Sequence, residues 1–511
     1  LHGVTGSGKT EVYIRAIESV VARGRQAIVL VPEISLTPQT RQRFEDRFGD
    51  VAVLHSKMTP VDRHHVWEWI ASGQVPVVVG ARSAIFAPLP RLGLIVIDEE
   101  HDGSYKQDTL PRYHAREVAR KRAQLECVPL ILGSATPSLE AWQLVQRVPQ
   151  RLLRLPQRVG DRPMPPVRLV DMRLREHRDH GSLSRPLRQA IAEAIQEDGQ
   201  VILLLNRRGY ATVIQCPACG FVVSCPDCDL PLTHHRDGAQ ATCHYCRYTR
   251  SSPSNCPQCR SPGIRHSGRG TQRLEQEIAD GFPEAIVGRM DSDAMKKVGS
   301  HERMLTDFRE GAIQILVGTQ MIAKGLDFPN VTLVGVVHAD TALHFPDFRA
   351  AERTFQLVAQ VAGRTGRGDR PGRVIVQTYS PEHPAIALAA EHDYERFAAG
   401  ELEQRKRFGY PPFGAMARII VRASEARVAG QWCEELGLKL RVQAEQLGAP
   451  VRILGPAIPP LAKLRGKHRF HLMLQAVDIQ DVRRVLRGAT EDLRQPEAIQ
   501  YVIDIDPQEM L

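Results

Sequence analysis

The sequence predicts an α/β protein: two parallel sheets with helices on both faces, a cysteine-rich insertion in the second, and an α+β C-terminal domain. Three observations predict it. Short, near-continuous β-type apolar runs alternate with helical stretches in two successive sets. A glycine-rich segment, Gly3 to Thr10, opens directly into a helical stretch, Glu11 to Arg23. Eight of the ten cysteines fall between Cys216 and Cys259, after the first apolar run of the second set.

In chain order, the first set is Ala27–Val31, Val75–Val79, Leu94–Ile97 and Leu130–Leu132. Runs without polar alternation suit strands buried on both faces, so residues 1–155 are expected to form one α/β lobe. Pro- and Arg-rich Leu155–Pro166 reads as a linker. The second set is Val201–Leu205, Ile313–Val317, Val331–Val337 and Val374–Val376, giving a second lobe over 156–213 and 263–380. The cysteine-rich segment, 214–262, is then an insertion into that lobe. From 381 to 511, a charged helical stretch, Tyr410-Pro411-Pro412-Phe413 and a mixed tail make a C-terminal domain. No internal repeat is expected beyond the two α/β units. Trp67 and Trp69 are two apart on one helical stretch and cannot share its face, so one of them is expected in the core.

Composition narrows the function. At 511 residues the chain accommodates three or four domains, and 42% apolar with 24% charged residues is ordinary for a globular protein. No run of about 18 apolar residues is present, and no export signal is visible, so no membrane partner is expected. A net charge of +9 suits a polyanionic partner such as nucleic acid.

The chemistry starts at Gly3-Val4-Thr5-Gly6-Ser7-Gly8-Lys9-Thr10, a complete G-x-x-x-x-G-K-T. Glycines let backbone N–H groups converge on nucleotide phosphates, Lys9 reaches the β- and γ-phosphates, and Thr10 ligates Mg²⁺. Only Leu1 and His2 precede this loop, so the chain is expected to be a fragment lacking the strand that normally leads into it. Asp98-Glu99-Glu100-His101 follows the run Leu94–Ile97. An acidic residue at the end of a parallel strand is where phosphate-loop enzymes hold Mg²⁺; Asp98 is assigned to the ion and Glu99 to the attacking water. An isolated Asp-Glu-Glu is more simply a solvated turn, and the phosphate loop upstream decides the reading.

Ser134 and Thr136, in Gly133-Ser134-Ala135-Thr136, offer hydroxyls that couple the nucleotide site to a moving part. In the second lobe, Thr319, Gln320 and Lys324 follow a strand, and Gln360 to Arg367 follows a helix. Gln360 is placed at the nucleotide, and Arg364 and Arg367 on their Gly-punctuated segment as arginine fingers. Catalytic parts divided between two lobes would make hydrolysis depend on lobe closure, as in a motor.

The insertion carries Cys216-x2-Cys219, Cys225-x2-Cys228, Cys243-x2-Cys246 and Cys256-x2-Cys259. Eight thiolates suffice for two tetrahedral Zn²⁺ sites, structural because four cysteines leave no open position. Spacing leaves the pairing open. His234, His235 and His244 are surplus and read as exposed, while Cys127 and Cys433 read as buried apolar side chains.

Together Gly3–Thr10, Asp98–His101, Ser134–Thr136, Gly318–Gln320 and Gln360–Arg367 resemble the superfamily 2 helicases. More narrowly, Gly3–Tyr13, Leu30–Thr37, Gly80–Phe86 and Asp98–His101 running into Ser104–Gln107 resemble the bacterial primosomal replication-restart helicases, and the likeness extends over essentially the whole chain. The resemblance implies two RecA-like lobes using ATP and Mg²⁺, and 3′-to-5′ DNA unwinding at stalled or collapsed forks, followed by loading of the replicative helicase. It implies forked and single-stranded DNA, other primosome proteins, single-strand DNA-binding protein, and the replicative helicase with its loader as partners, in the bacterial cytoplasm at the nucleoid. It also implies nested zinc ligation: Cys216, Cys219, Cys256 and Cys259 on one ion, Cys225, Cys228, Cys243 and Cys246 on the other.

Ser104 to Arg116 resembles the family's aromatic-rich loop, in which Tyr105, Tyr113 and His114 would stack on bases and Lys106, Arg112 and Arg116 would meet phosphates. His101, Ser134, Thr136, Thr319, Gln320 and Lys324 join this coupling and DNA-contact set. Glu401 through Arg405 to Phe413 resembles the family's C-terminal domain, which contributes to DNA and protein contacts. The family also carries an N-terminal DNA-binding region and a winged helix that this sequence does not include, which puts fork recognition by this chain in question. An RNA helicase or duplex translocase of the same superfamily and a zinc-ribbon binding module on an inactive ATPase scaffold are the competing readings. The cysteine insert argues against the first; Lys9, Asp98, Glu99, Arg364 and Arg367, all present, argue against the second.

Overall fold

A computed structural model describes every residue except 33–37, 57, 180, 206–212, 236–239, 263–264, 267–270, 291–299, 320–327, 366–369 and 511. The chain divides into two compact units. The first comprises Leu1–Pro166 with Met321–Val331 and Ala359–Gly372; the second comprises Val167–Gln320, Thr332–Val358 and Arg373–Leu511.

Unit 1 runs β1 (His2–Gly3), α1 (Lys9–Val21), β2 (Gln26–Leu30), α2 (Pro38–Phe48), β3 (Val51–Leu54), α3 (Pro60–Ala71), β4 (Val77–Gly80), β5 (Leu92–Ile97), α4 (Ala115–Leu125), β6 (Leu130–Leu132), α5 (Leu139–Arg147) and β7 (Arg154–Leu155). Its sheet has the order β3-β4-β2-β5-β6, every pair parallel. The continuous apolar runs follow from burial on both faces. Ile28, Leu30, Val78, Ile95 and Ile97 pack with Ile70 and Ala119, while Ala27, Val29, Val77, Val79 and Val96 pack with Tyr13, Ile17 and Phe44. β1 pairs in parallel with β7, and Gly3 N–H donates to the Ser134 carbonyl at 3.1 Å, so a short strand does lead into the glycine loop. Trp67 and Trp69 are both half-buried against the core, rather than one of them being fully inside.

Unit 2 begins β8 (Val167–Asp171), α6 (Arg185–Gln196) and β9 (Gln200–Leu204). The insertion holds the short strands β10 (Ile214–Gln215), β11 (Thr233–His235), β12 (Gln240–Thr242), β13 (Thr249–Ser251) and β14 (Arg265–His266). The lobe continues with α7 (Thr271–Gly281), β15 (Val287–Met290), α8 (Ser300–Arg309), β16 (Ile315–Gly318), β17 (Val331–Val336), α9 (Asp340–Leu343), α10 (Ala350–Ala362) and β18 (Arg373–Thr378). Its sheet order is β15-β16-β9-β17-β18-β8.

After α11 (Pro384–Ala390) and α12 (Tyr394–Phe408) comes an antiparallel sheet of order β20-β22-β19-β23, with β21 on its edge. These strands are β19 (Ala415–Ala423), β20 (Arg452–Ala457), β21 (Lys463–Leu464), β22 (Lys467–Ala476) and β23 (Gln500–Ile505). One face, with Ile419, Val421, Leu472 and Leu474, is covered by α13 (Ala426–Gln446) and α14 (Ile479–Thr490). Met416 and Met473 join a second cluster with Cys225, Cys228, Cys243 and Tyr245, so the cysteine insertion and the C-terminal sheet share a core.

Candidate functional site

In the phosphate loop Gly6 and Gly8 have φ of 83° and 85°, left-handed conformations that favour glycine, and Gly8 caps α1. Helix α1 therefore starts inside the loop, its unpaired N–H groups and positive dipole end toward the place a phosphate occupies. Lys9 is buried at the start of α1, and its Nζ donates to the Gly3 carbonyl at 2.9 Å and the Val4 carbonyl at 3.4 Å. Ser7 Oγ is buried with no hydrogen-bond partner among the described residues, a polar atom placed for a ligand. Thr10 lies in the first turn of α1.

Asp98 and Glu99 stand just beyond β5, a fully buried strand next to the central β2. Tyr13 Oη donates to Asp98 Oδ1 at 2.9 Å, and Tyr105 Oη to the Asp98 carbonyl at 2.6 Å. Burial, and then the neighbouring Glu99 carboxylate, push Asp98 up to about 6, against the opposing pull of Lys9 and Tyr13. Glu99 has a φ of 46°, and its Oε2 is buried without a hydrogen-bond partner among the described residues. A non-glycine residue held left-handed beside such an oxygen stores strain where chemistry is expected. Lys9, Ser7 and the two carboxylates thus fit a Mg²⁺–nucleotide: cation and N–H donors for phosphate, oxygens for a hard ion.

His101 links the carboxylates to two further segments. Its Nδ1 stands 3.7 Å from Glu99 Oε2 and meets Ser134 Oγ at 2.7 Å, while its Nε2 meets Gln360 Nε2 at 2.8 Å. Ser134 Oγ in turn accepts from Thr136 N–H at 2.9 Å. Gly363 presses against Thr5 so closely that a Cβ there would stand 2.4 Å from Thr5 Cγ2. Arg364 is buried beside it. Gln360, Gly363 and Arg364 therefore belong with the phosphate loop in unit 1. Thr319 lies in unit 2, one residue beyond β16. Gln320, Lys324 and Arg367 lie outside the described residues.

Behind the carboxylates lies an ion pair that local sequence does not suggest. Arg116 Nη1 meets Glu100 Oε2 at 3.0 Å, and Glu100 also accepts from Ser138 N–H at 2.6 Å and Ser138 Oγ at 3.0 Å. Burial opposes the Arg116 charge, but Glu100, with Glu140 and Glu117 behind it, holds the guanidinium more firmly protonated than usual. Arg116 is thus committed to the protein rather than to phosphate.

The same holds for much of the segment Ser104–Arg116. Tyr105 is fully buried, Lys106 is buried, and His114 caps α4 by accepting from Arg116 N–H at 3.2 Å. Their rings and charge are taken up by the fold, so they present no stacking face here. Tyr113 stays half-buried, edge-on to Phe86 at 4.9 Å, with Arg112 preceding it in the chain. Arg82 fixes the segment, donating to the Ser104 carbonyl at 3.0 Å and to that of Lys106.

In unit 2 the eight cysteines form two groups, Cys216, Cys219, Cys256 and Cys259, and Cys225, Cys228, Cys243 and Cys246. Sulfur pairs stand 3.7 Å (Cys216–Cys259), 3.6 Å (Cys219–Cys256) and 3.5 Å (Cys225–Cys246) apart. Four thiolates on a tetrahedral zinc at about 2.3 Å have sulfur–sulfur edges of about 3.8 Å, so both groups fit the ion. The insertion also contains a structural repeat of its own. In each C-x2-C turn the residue four after the first cysteine is left-handed: Gly220, Asp229, Arg247 and Arg260. Its N–H donates to the carbonyl of that first cysteine in all four.

Three other expectations are corrected. His244 is buried, bonded to the Ile458 carbonyl through Nδ1, while its own carbonyl meets His471 Nε2. His234 is half-buried against Ser252 at 2.8 Å, and the exposure of His235 lies outside the described residues. Cys127 is exposed at the end of α4, with a φ of 53°; Cys433 is buried as expected. Among the described residues no helix is long and apolar enough to cross a membrane.

Four family descriptions match successive parts of the chain: DEAD/DEAH box helicase over residues 1–145, PriA DNA helicase Cys-rich region domain over 225–250, helicase conserved C-terminal domain over 269–369, and primosomal protein N C-terminal domain over 406–508. The replication restart protein PriA of Bacillus subtilis is 47% identical over 100% of this chain and 64% of its own length. That of Treponema pallidum is 44% identical over 100% and 77%, and that of Haemophilus influenzae 40% identical over 100% and 70%. The chain spans under two thirds of the Bacillus subtilis relative, and 62% of a Synechocystis one that is 44% identical over 99% of this chain.

Proposed function

The chain belongs to the replication restart protein PriA family, and on that premise we propose that it is an ATP-driven DNA helicase of the primosome. In this reading it unwinds DNA 3′ to 5′ at stalled or collapsed replication forks and prepares them for loading of the replicative helicase. The observation that carries the reading is the bonding of the strand-end carboxylates to the rest of the nucleotide machinery. Tyr13, from the helix that follows the phosphate loop, holds Asp98, and His101 joins Ser134 to Gln360, three residues before the Gly363 that rests on Thr5.

The roles follow from charge and position. Gly3, Thr5, Gly6, Ser7 and Gly8 shape the loop, and the Lys9 ammonium leaves the Gly3 and Val4 carbonyls for the β- and γ-phosphates. Thr10 and Asp98 would hold Mg²⁺, which would supply neutralisation of phosphate charge. Glu99, whose buried Oε2 has no hydrogen-bond partner among the described residues, orients the water that attacks the γ-phosphorus. Arg364 and Arg367 stabilise charge on the transferring phosphoryl group. Gln360 lies at the nucleotide and, with His101, Ser134 and Thr136, relays its state; Thr319, Gln320 and Lys324 contact DNA, as do Arg112 and Tyr113. Tyr105 and Lys106 serve DNA contact by holding their loop in shape.

Two structural Zn²⁺ shape the insertion. We place the first lobe at 1–155, the second at 156–213 and 263–380, the zinc module at 214–262 and the C-terminal domain at 381–511. The working environment is the bacterial cytoplasm at the nucleoid, with single-strand DNA-binding protein, other primosome proteins and the replicative helicase with its loader as partners.

The test is hydrolysis and unwinding measured together, on duplexes with 3′ or 5′ single-stranded tails, in DNA and in RNA. DNA-stimulated hydrolysis with unwinding from the 3′ tail is expected. Equal unwinding of RNA, or hydrolysis indifferent to DNA, would overturn the reading.

A further inference from the structure

The connector after α5 does more than join two units. His2 N–H donates to the Leu153 carbonyl at 2.8 Å, Val4 N–H to that of Leu155 at 3.1 Å, and Val159 N–H to the Gly6 carbonyl at 3.0 Å. Residues 153–159 are therefore laced along the chain that enters and forms the phosphate loop. Arg158 closes the lacing. It is 6% exposed; its Nε donates to the Thr5 carbonyl at 3.2 Å and its Nη1 to the Pro163 carbonyl at 3.3 Å. The guanidinium lies against the bare backbone of Gly6, where a Cβ would stand 3.2 Å from Nε. Beyond it, Gly160 and Asp161 are both left-handed, at φ 74° and 53°, and Asp161 N–H donates back to the Arg158 carbonyl at 3.2 Å. That tight turn sets Val159 against Gly8, a Cβ there being 3.3 Å from Val159 Cγ2.

We propose that Arg158 is a positioning residue of the nucleotide site, which aims the Thr5–Gly6 peptide at phosphate and ties the loop to the connector at Pro163. The reason is the geometry of a trans peptide, in which C=O and N–H point opposite ways. Pinning the Thr5 carbonyl on Arg158 turns its repulsive dipole toward the connector and the Gly6 N–H away from it. The Gly6 carbonyl, held by Val159 N–H, is withdrawn in the same manner. A loop whose carbonyls are occupied from outside needs no rearrangement to present N–H groups to an anion, which is how preorganisation raises affinity. One guanidinium bonds both the loop and the connector, so a shift of Thr5 on nucleotide binding is felt at Pro163, in the segment that runs on to β8.

The inference rests on the nucleotide-site reading above, and the experiment separates the two. ADP binding by calorimetry and amide exchange with and without saturating ADP are measured for the parent, Arg158→Gln and Arg158→Lys. The parent is expected to bind ADP and to slow exchange over both residues 3–10 and 159–164. Arg158→Gln is expected to weaken ADP binding about tenfold, the loss of a charge-assisted hydrogen bond, and to lose the ADP-linked slowing at 159–164 while keeping it at 3–10. Arg158→Lys keeps the charge but reaches one carbonyl, and should recover affinity without recovering the connector response. A thermal melt without ADP tracks any purely structural loss, and if Arg158→Gln does not fold, Arg158→Lys decides on the connector response. For Arg158→Gln, affinity within twofold of the parent would overturn the inference, as would unchanged slowing at 159–164 in either variant. A parent that binds no ADP would overturn the nucleotide-site reading itself.

Discussion

Replacing Glu100 by alanine tests the ion pair that backs the strand-end carboxylates Asp98 and Glu99. Glu100 is 2% exposed and Arg116 is 7% exposed, so the substitution removes the carboxylate nearest a guanidinium inside the lobe. Breaking a buried pair by removing one partner costs about 3–5 kcal/mol. Removing both charges is different: Glu100→Leu with Arg116→Met takes away both buried members of the pair, and Glu117, 3.6 Å from Arg116, is 46% exposed to water. It does leave Ser138 N–H, which donates to Glu100 at 2.6 Å, without that acceptor. A buried orphan donor costs about 1–3 kcal/mol, so the double variant should be the more stable of the two. The assay is urea unfolding followed by tryptophan fluorescence, to which Trp142 contributes from its buried place in α5, the helix that Ser138 caps. Nucleotide turnover should fall with Glu100→Ala, because Asp98 and Glu99 directly precede it at the strand end. A cost under about 1 kcal/mol for Glu100→Ala, or a double variant no more stable than the single one, would refute the reasoning.

Four further outcomes are expected. Lys9→Ala and Asp98→Asn should each abolish ATP hydrolysis while DNA binding, read by fluorescence anisotropy, stays largely intact, since the roles proposed for both side chains are at phosphate and Mg²⁺. Arg364→Ala should lower kcat by at least about tenfold with little change in nucleotide affinity, because a finger acts in the transition state; a pure loss of affinity contradicts it. Metal analysis should find two zinc ions per chain, and Cys216→Ser or Cys225→Ser should lower that count by one and impair unwinding more than basal hydrolysis. Glu401, packed in unit 2 at 3.3 Å from Arg405, is raised from an ordinary 4.5 to about 7, first by burial and then, against Arg405, by Glu352. A carboxyl whose pKa rises on folding stabilises the fold below the unfolded value and loses that contribution as pH climbs to about 7, here about 3 kcal/mol. Unit 2 should therefore lose stability between pH 4.5 and about 7 in urea titrations, and Glu401→Gln should flatten that slope.

What the sequence makes legible follows from where each residue's constraint comes from. β2, β4, β5, β9, β16, β17 and β18 read directly, because a strand buried on both faces must be apolar throughout. β8 and β15 do not, and both are sheet edges; β3 and β6 are edges too but apolar throughout, and of these only β6 is among the runs read from sequence. Val167-Arg168-Leu169-Val170-Asp171 and Val287-Gly288-Arg289-Met290 admit polar residues that a central strand excludes. The four zinc turns are visible as C-x2-C, but their shared left-handed position is filled by Gly, Asp, Arg and Arg, so only the first carries a local signature. The residues proposed to face the ligand are legible for the same reason as central strands: phosphate chemistry admits few alternatives at Gly6, Gly8, Lys9 or Asp98. Their supports are not. Tyr13 reaches Asp98 across 85 residues, Arg158 reaches Thr5 across 153, and Gln360 reaches His101 across 259. A tyrosine, an arginine and a glutamine are each ordinary in a helix or connector, and only the fold gives them a partner. Loop shape, carboxylate placement and coupling therefore depend on residues whose identity the local sequence does not constrain, and substitutions there should separate nucleotide affinity from turnover more cleanly than changes to the loop itself.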